Sequence, residues 1–500
     1  MKTLLYLGID QGSSSTKGVL LDEQGGSVAE WSVQVPSPEV NERCVEQDPE
    51  RVFLSVIEIF EKAIEKATAL EATIAAAGLA VQRSGVLAWN APDGMAVHPV
   101  ITWADTRTYP QIQALGRGVE LISNQTGIPT IPNFAAPKIH LLQREFLDPS
   151  IYVGTLDSFL VFRLSEGRVF ITEDTMASRT MLYSLAERAW SDGLCRQFQI
   201  DKKRLARVNP SLAPHTVFRE VPITALLGDQ QAALLGRLSV GDRPLLNLGT
   251  IASLTRGTGS TPLQKPALKT TVLYSRLMPN AGVREMVYLT EVTSSVTGTV
   301  LREPLRRQWC EDIESLNELC ERAYEENPMG LATAYFVNKE VSTQQTARDA
   351  WPAGMPNVMV CKPNAEVCDR ARAIVENVGN LLVRMLEEFS EKNLLGDRFP
   401  AEIDIAGGGS ELDYLMQYVA DVSGHTLRRL EAKEAGARGA ALAAMVSARG
   451  KGEFRDYNTE APERCFVCER PERRQRYLMW QRLERDVMHK TLPAHAEVER

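Results

Sequence analysis

"LYLGIDQGSSSTKGVLLDEQG", residues 5 to 25, places one acid, a glycine and a run of hydroxyls between two apolar stretches. Lys2 followed by Thr3 to Ile9 imitates the charged start and apolar core of a secretory signal. Asp10 interrupts that core, and no small-residue cleavage pattern follows. The pattern instead predicts a β-hairpin. Leu4 to Ile9 and Val19 to Leu21 are strand-like, and Gly12 with four hydroxyl residues supplies a turn whose amides and OH groups can face a ligand.

Beyond the hairpin the chain alternates helical and strand-like runs. "VFLSVIEIFEKAIEKATAL" (52 to 70) reads as an amphipathic helix, with Asp48 as N-cap and Pro49 in its first turn. "IAAAGLAVQ" (74 to 82) reads as a buried strand, and "VLAWNAPDGMAVHPVITW" (86 to 103) as a hairpin turning at Pro92–Gly94. After about residue 245 the pattern starts again. "LLNLGTIASLTRG" (245 to 257) repeats the strand, Gly-Thr turn and second strand of the opening, and "EIDIAGGG" (402 to 409) adds a buried strand running into glycines. The expectation is an α/β protein of two halves, 1–243 and 244–450, each starting with a glycine-hydroxyl hairpin and meeting at a cleft.

Residues 451 to 500 change character and are dense in Arg and Glu. They are expected to form a charged C-terminal extension. In it Tyr477, Leu478, Trp480, Leu483 and Val487 form the apolar stripe of one helix; the charge run is expected as its solvated face, the alternative being an interaction tail. "RCFVCER" holds Cys465 and Cys468 at a zinc or redox spacing, but Cys361 and Cys368 do not supply a matching second pair, so both are read as reduced thiols.

The net charge of −8 leaves no electrostatic footprint for nucleic acid or an acidic membrane. No apolar run approaches the ~20 residues of a membrane span. Eight scattered cysteines fit a reduced, cytoplasmic compartment. A homo-oligomer is compatible with the sequence, which does not decide it.

Four clusters can carry chemistry. In "GIDQGSSSTK", amides around Gly12 and the hydroxyls of Ser13, Ser14 and Ser15 can hold phosphate oxygens, with Lys17 adding charge. Asp10, at a strand end, can hold Mg2+; the plain alternative is a tight hairpin. In "ALLGDQQAALLG" (225 to 236), Asp229 is either a helix N-cap or a general base, and Gln230 can bind a substrate hydroxyl. "NLGTIAS" offers Gly249 and Thr250 as phosphate contacts. "DIAGGGSELDYLMQYVADVSG" places three glycines before a helix, where a flat or anionic ligand can approach the backbone. "EAGARGAALAAM" (434 to 445) is expected as a small-residue helix packed behind that loop.

These clusters, together with "VQRSGVLAW", "ITWADTRT", "PNFAAPKIHLL", "GTLDSFLVFRLSEG" and "TEDTMASRTMLYSL", make the chain from about residue 3 to 448 resemble the FGGY carbohydrate kinases. The resemblance implies two actin-like, ribonuclease-H-like domains, with ATP and substrate meeting in the interdomain cleft. It implies that Asp10 is the Mg2+-associated acid, Asp229 the catalytic base and a second metal-side acid, and Gly12 and Ser13 phosphate contacts. Gly249 and Thr250 resemble the second phosphate loop, Gly298 a nucleotide-facing glycine and Gly408 the adenosine-loop glycine. Arg83 and Trp103 fall where glycerol kinases hold the polyol. The acid following that arginine is Ser84 here, their tyrosine is Asn133, an aromatic is Ser253 and an adenine-side amide is Leu412. The substrate expected is therefore a sugar, polyol or sugar acid, with glycerol itself less favoured. Phosphoryl transfer asks mainly for positioning and charge neutralisation, and domain closure would exclude water. The competing reading is a catalytically degenerate or non-enzymatic actin-like ATP-binding protein, which would share the hairpins without needing the polar pocket.

Overall fold

Leu4–Gln11 is apolar on both faces, as a strand must be when helices cover both sides of a sheet. Leu5, Leu7 and Ile9 point to one side, into a core with Val52, Val56, Ile59 and Phe60 of the helix Pro49–Ala69. Asp48 caps that helix, its carboxylate accepting the amides of Glu50 (2.8 Å) and Arg51 (3.3 Å). The structure is a computed structural model. It describes residues 3–116, 118–237, 243–249, 251–263, 268–278, 282–294, 297–336, 357–391, 399–430, 434–450, 452–457, 462–489, 491–493 and 496–499.

The chain forms two units. The first comprises Met1–Asp242, Gly257–Thr290 and Glu434–Thr459; the second comprises Arg243–Arg256, Glu291–Lys433 and Glu460–Arg500. The opening hairpin of the first unit pairs Leu4–Gln11 with Ser15–Leu21, so both strands run closer to the turn than the sequence suggested, and Asp10 lies within a strand. Thr73–Val81 runs parallel to Leu4–Gln11, and Val221–Gly228 runs parallel to Thr73–Val81. Gln11, Val81 and Gly228 stand level across these three strands, so the carboxyl ends make one edge.

The face of Leu4–Gln11 that carries Gly8 receives the helix Ala435–Arg449. That helix belongs to the first unit, whereas the glycine loop it was expected to back belongs to the second. Gly8 and Gly78 are register partners on neighbouring strands. A Cβ at Gly8 would lie 1.9 Å from the Ala437 carbonyl oxygen, and one at Gly78 2.0 Å from that of Ala440. Backbone rests on backbone there, which an L side chain forbids.

A second sheet of the first unit is antiparallel, in the order Glu39–Asn41, Cys44–Gln47, Ala96–Ile101, Val86–Asn90 and Ile151–Thr155. Val86–Asn90 and Ala96–Ile101 form the expected hairpin. The helix Ala135–Glu145 packs its Ala135, Ile139 and Leu142 against Val86, Ile101 and Val153 of this sheet.

In the second unit, Leu245–Leu248 pairs antiparallel with Ala252–Gly259 and parallel with Glu402–Ala406, followed by Thr426–Leu430 and Pro462–Phe466. From Glu460 on, the charged C-terminal segment belongs to this unit, and one face of its helix is buried. Tyr477, Trp480, Leu483 and Val487 of the helix Arg474–Met488 are buried, but Leu478 is 48% exposed, because it lies off the packed face. Arg473 and Arg476, expected to be solvated, are buried as well. Arg476 pairs with Glu376 at 2.5 Å, and Glu376 also binds Arg372 (2.7 Å) and the Tyr414 hydroxyl (2.9 Å). Arg473 pairs with Asp421 at 3.1 Å, and Trp480 Nε1 donates to Asn377 at 2.9 Å. Burial alone would raise the pKa of Glu376, but Arg476 and Arg372 hold it at about 2.

Glu376→Gln leaves two buried guanidinium groups without their counter-charge. It is expected to cost the protein about 3–5 kcal/mol at pH 7, read from urea unfolding against the wild type. The carboxyl ionises below its ordinary value of 4.5, so the stabilisation is fully present above that pH and is lost as the pH falls through about 2. Equal unfolding midpoints at pH 7 would contradict this account of the C-terminal helix.

Candidate functional site

The level strand ends of the first unit gather most of the residues singled out in the sequence. Asp10 is half-buried, but its Oδ1 is enclosed and has no hydrogen-bond partner among the described residues. Its other oxygen faces the start of the helix Ala435–Arg449, where a Cβ on Gly436 would come within 2.1 Å of Oδ2. Enclosure, and then the charge of Asp229, push the Asp10 pKa up to about 7, while Lys17 pulls it down. Lys17 is ion-paired with Glu434 at 2.7 Å.

The turn after Asp10 is tied down from within. The Gly12 amide donates to the Ser15 carbonyl at 3.0 Å, so it serves the turn, and its φ is not in the left-handed region. The Ser13 hydroxyl donates to Gln82 Oε1 (3.1 Å) and accepts from Trp103 Nε1 (3.2 Å). Gln82 Nε2 in turn donates to Gln11 Oε1 (3.2 Å) and Gln47 Oε1 (2.9 Å), and Gln47 Nε2 donates to the Ser13 carbonyl (2.8 Å). Ser14 is exposed at the tip. These three buried glutamines were not identified from the sequence. The readable signal is a glutamine at or just past the ends of three strands, Leu4–Gln11, Cys44–Gln47 and Thr73–Val81, where an amide both donates and accepts without adding charge.

Asp229 opens the helix Asp229–Leu235, and Gly228, not Asp229, is its N-cap. Its Oδ1 receives Arg83 Nε at 3.0 Å and the Gln230 amide at 2.8 Å. Arg83 Nη1 also donates to Gln231 Oε1 at 3.4 Å. Behind Asp229, the Gly228 amide donates to Thr175 Oγ1 (2.7 Å), and that hydroxyl donates to Glu173 Oε1 (2.5 Å). Glu173 further accepts the amides of Thr175 and Met176 and the Ser211 hydroxyl, each at 2.7 Å. Burial pushes Glu173 up to about 8 against these donors. "TEDTMASRT" thus supports Asp229 from behind, a role its pattern of small and polar residues did not reveal.

Ser84 and Asn133 stand beside Arg83 and Trp103. Ser84 is buried at φ +66°, a conformation uncommon outside glycine. Asn133 Nδ2 donates to the Trp103 carbonyl at 3.0 Å.

In the second unit, the glycine-bearing loops lie together. Gly249 follows Leu245–Leu248 and is exposed, its amide donating to the Ile251 carbonyl (3.1 Å). Thr250 lies outside the described residues. Gly408 opens the turn Gly408–Glu411, and nothing lies within 4 Å of where its Cβ would be. Its neighbour Gly407 has φ +85°, and a Cβ there would lie 2.6 Å from the Leu248 carbonyl oxygen. Gly298 begins the helix Gly298–Leu301, whose Leu301 would be 3.5 Å from a Cβ on Gly409. The unit thus offers bare backbone from three segments at one place. Ser253 and Leu412 are both buried. Cys465 and Cys468 are exposed, and among the described residues no three His, Cys, Asp or Glu side chains are grouped as metal ligands.

Comparison with known proteins adds an independent line. The model of the FGGY family of carbohydrate kinases, N-terminal domain, matches residues 5–236, and that of its C-terminal domain matches residues 245–448. A glycerol kinase of Cereibacter sphaeroides is 30% identical, covering 96% of this chain and 99% of the relative. Glycerol kinase 1 of Pseudomonas aeruginosa is 27% identical, with coverage of 96% and 98%. The crystal structure of Plasmodium falciparum glycerol kinase with ADP shares the fold at a TM-score of 0.84 and 20% identity, covering 98% of this chain and 99% of that one. Gluconate kinase from Lactobacillus acidophilus gives 0.82 and 18%, with 99% of both chains covered.

Thr175→Val keeps the shape of the side chain but strands the Gly228 amide and takes one of four donors from the buried Glu173 carboxyl. The expected loss is about 1–3 kcal/mol in urea unfolding, largely recovered by Thr175→Ser. A valine variant as stable as the wild type would remove Thr175 from the support of Asp229.

Proposed function

This chain belongs to the FGGY family of carbohydrate kinases, and we propose that it transfers the terminal phosphoryl group of ATP to a hydroxyl of a sugar, polyol or sugar acid with Asp229 as general base. The phosphotransferase class, with an alcohol as acceptor, follows from the family and from the named relatives. The observation that carries the residue-level reading is the Asp229 carboxylate. It stands at the strand-end edge, it does not cap its helix, and Arg83 and the Gln230 amide fix its direction through one oxygen.

In this reading the acceptor lies along Arg83, Trp103, Asp229 and Gln230, and Asp229 takes the proton of the attacking hydroxyl. The pairing with Arg83 keeps the carboxylate oriented, so little of the acceptor's binding energy is lost in arranging the base. The turn from Gly12 to Ser14 takes the transferring phosphate. Its Ser13 hydroxyl is already aligned by Gln82 and Trp103, and Lys17 supplies nearby charge that Glu434 tempers. Gly249, Gly298 and Gly408 hold the nucleotide, since their lack of side chains admits a ligand against the backbone, and Thr250, next to Gly249 in sequence, adds a hydroxyl for a phosphate oxygen.

The donor set at Asp10 fits a hard divalent cation. An enclosed carboxylate oxygen without a partner among the described residues, with its pKa raised beside a second carboxylate, is a site a cation would satisfy. Asp10, with Asp229 close by, would hold Mg2+, which when bound neutralises charge on the phosphate oxygens. The cation would then keep Asp10 ionised.

For the acceptor, we favour a polyol, sugar or sugar acid longer than glycerol. Ser84 brings no carboxylate to the pocket, and Asn133 spends its amide on the Trp103 carbonyl. Glycerol is the second reading, favoured by the names of the relatives.

Asp229→Asn is expected to lower acceptor-dependent turnover by ~10²–10⁴-fold while ATP affinity stays near wild type. Turnover close to wild type would leave Asp229 a structural residue. In a panel of glycerol, pentitols, ketopentoses and gluconate, kcat/KM is expected to be highest for one of the longer acceptors; a maximum at glycerol establishes the second reading instead.

A further inference from the structure

Lys138 is fully buried on the helix Ala135–Glu145, on the same face as the apolar Ala135, Ile139 and Leu142. A lysine at such a position needs a reason, because taking an ammonium out of water is costly unless it is well bonded. Its three donors are matched by three backbone carbonyls: Ser84 at 3.1 Å, Thr102 at 2.7 Å and Asn133 at 2.6 Å. Burial pulls its pKa down to about 7, with Asp105 raising it and Arg107 lowering it. Asp105 is itself bound to the Arg107 guanidinium and to the Val45 amide.

The three carbonyls belong to three separate segments. Ser84 follows Arg83, Thr102 precedes Trp103, and Asn133 is the residue standing where a pocket tyrosine was implied. The Asn133–Trp103 bond is a second tie between two of these segments. The bond from Lys138 also fixes the carbonyl of Ser84, whose backbone is in the left-handed region. One ammonium thus joins the segments that carry Arg83 and Trp103 to the segment of Asn133, with all three of its donors spent on backbone carbonyls.

We propose that Lys138 is a positioning residue that sets the spacing of the acceptor pocket's walls and so selects the size of the acceptor. The proposal rests on the assignment of Arg83 and Trp103 to acceptor binding made above. Lys138 itself bonds neither the Gly12–Ser14 turn nor Asp229; it reaches them only through Trp103, which donates to the Ser13 hydroxyl, and Arg83, which pairs with Asp229.

The test compares the full-length wild type with Lys138→Met, which keeps the stem and removes all three donors. Urea unfolding first establishes that the variant folds. Lys138→Gln, with two N–H donors on a shorter stem, is carried in parallel and replaces it if it does not. With the best acceptor of the panel, KM for the acceptor is expected to rise at least tenfold. KM for ATP should stay within twofold, and the ratio of kcat/KM between the best and second-best acceptors should shrink. An unchanged acceptor KM, or equal rises in both KM values, overturns the proposal. Amide hydrogen exchange supplies an arm that needs no acceptor. Residues 84–86, 102–104 and 133–134 should lose protection in the variant while Leu4–Gln11 keeps it. Wild-type protection of those segments overturns the proposal whatever the panel shows, whereas a wild type that phosphorylates no alcohol refutes the kinase reading alone.

Discussion

The first unit depends on backbone meeting backbone along the helix Ala435–Arg449. Gly439, in the interior of that helix, costs it about 1 kcal/mol relative to alanine, and Gly436 sits in its first turn. Their positions explain both glycines. A Cβ on Gly439 would lie 1.8 Å from the Ala232 carbonyl oxygen, and one on Gly436 would strike Asp10. Gly236 mirrors the arrangement, with a Cβ there 2.1 Å from the Ala435 carbonyl oxygen. Together with Gly8 and Gly78, these positions seat the helix between the sheet and the helix that begins at Asp229. The same seat therefore sets where both Asp10 and Asp229 stand, and it is made by residues more than 400 positions apart in some pairs, such as Gly8 with Ala437.

Electrostatics at the strand-end edge follows from that closeness. Asp10 is held where nothing among the described residues satisfies one of its oxygens, while Asp229 is balanced by Arg83. Two carboxylates with such different surroundings support the different tasks proposed for them, a cation at Asp10 and a proton at Asp229. The three glutamines beneath the turn shape it without contributing charge, which leaves the local field to Asp10, Asp229, Arg83, Lys17 and Glu434.

What the sequence disclosed was local. The opening hairpin, the Asp48–Pro49 helix start and the hairpin from Val86 to Ile101 are written in residues a few positions apart, through periodicity and turn chemistry. The order of the glycine-hydroxyl clusters was enough to identify the family. Other features needed the folded chain. Gln82 meets Gln11 across 71 positions, Lys138 meets Ser84 across 54, and Thr175 meets Gly228 across 53. A reading by composition also misplaced the C-terminal segment. Arg473 and Arg476 look solvated in sequence, yet Asp421 and Glu376 from other helices pair with them inside the second unit. The small-residue helix at 435 was legible as a helix made for close packing, but not its partner strands, because glycines do not state which backbone they admit.

The glycine seat can be measured directly by the urea unfolding of Gly78→Ala against Gly408→Ala. Both add one methyl group to a glycine outside the left-handed region, the first 2.0 Å from the Ala440 carbonyl oxygen and the second into open space. Gly78→Ala is expected to lose ~3 kcal/mol or more, or to fail to fold, because a backbone contact cannot yield as a side chain can. Gly408→Ala should unfold with the wild-type midpoint. A Gly78→Ala protein as stable as the wild type would contradict the close seating of Ala435–Arg449 and, with it, the placement of Asp10 and Asp229.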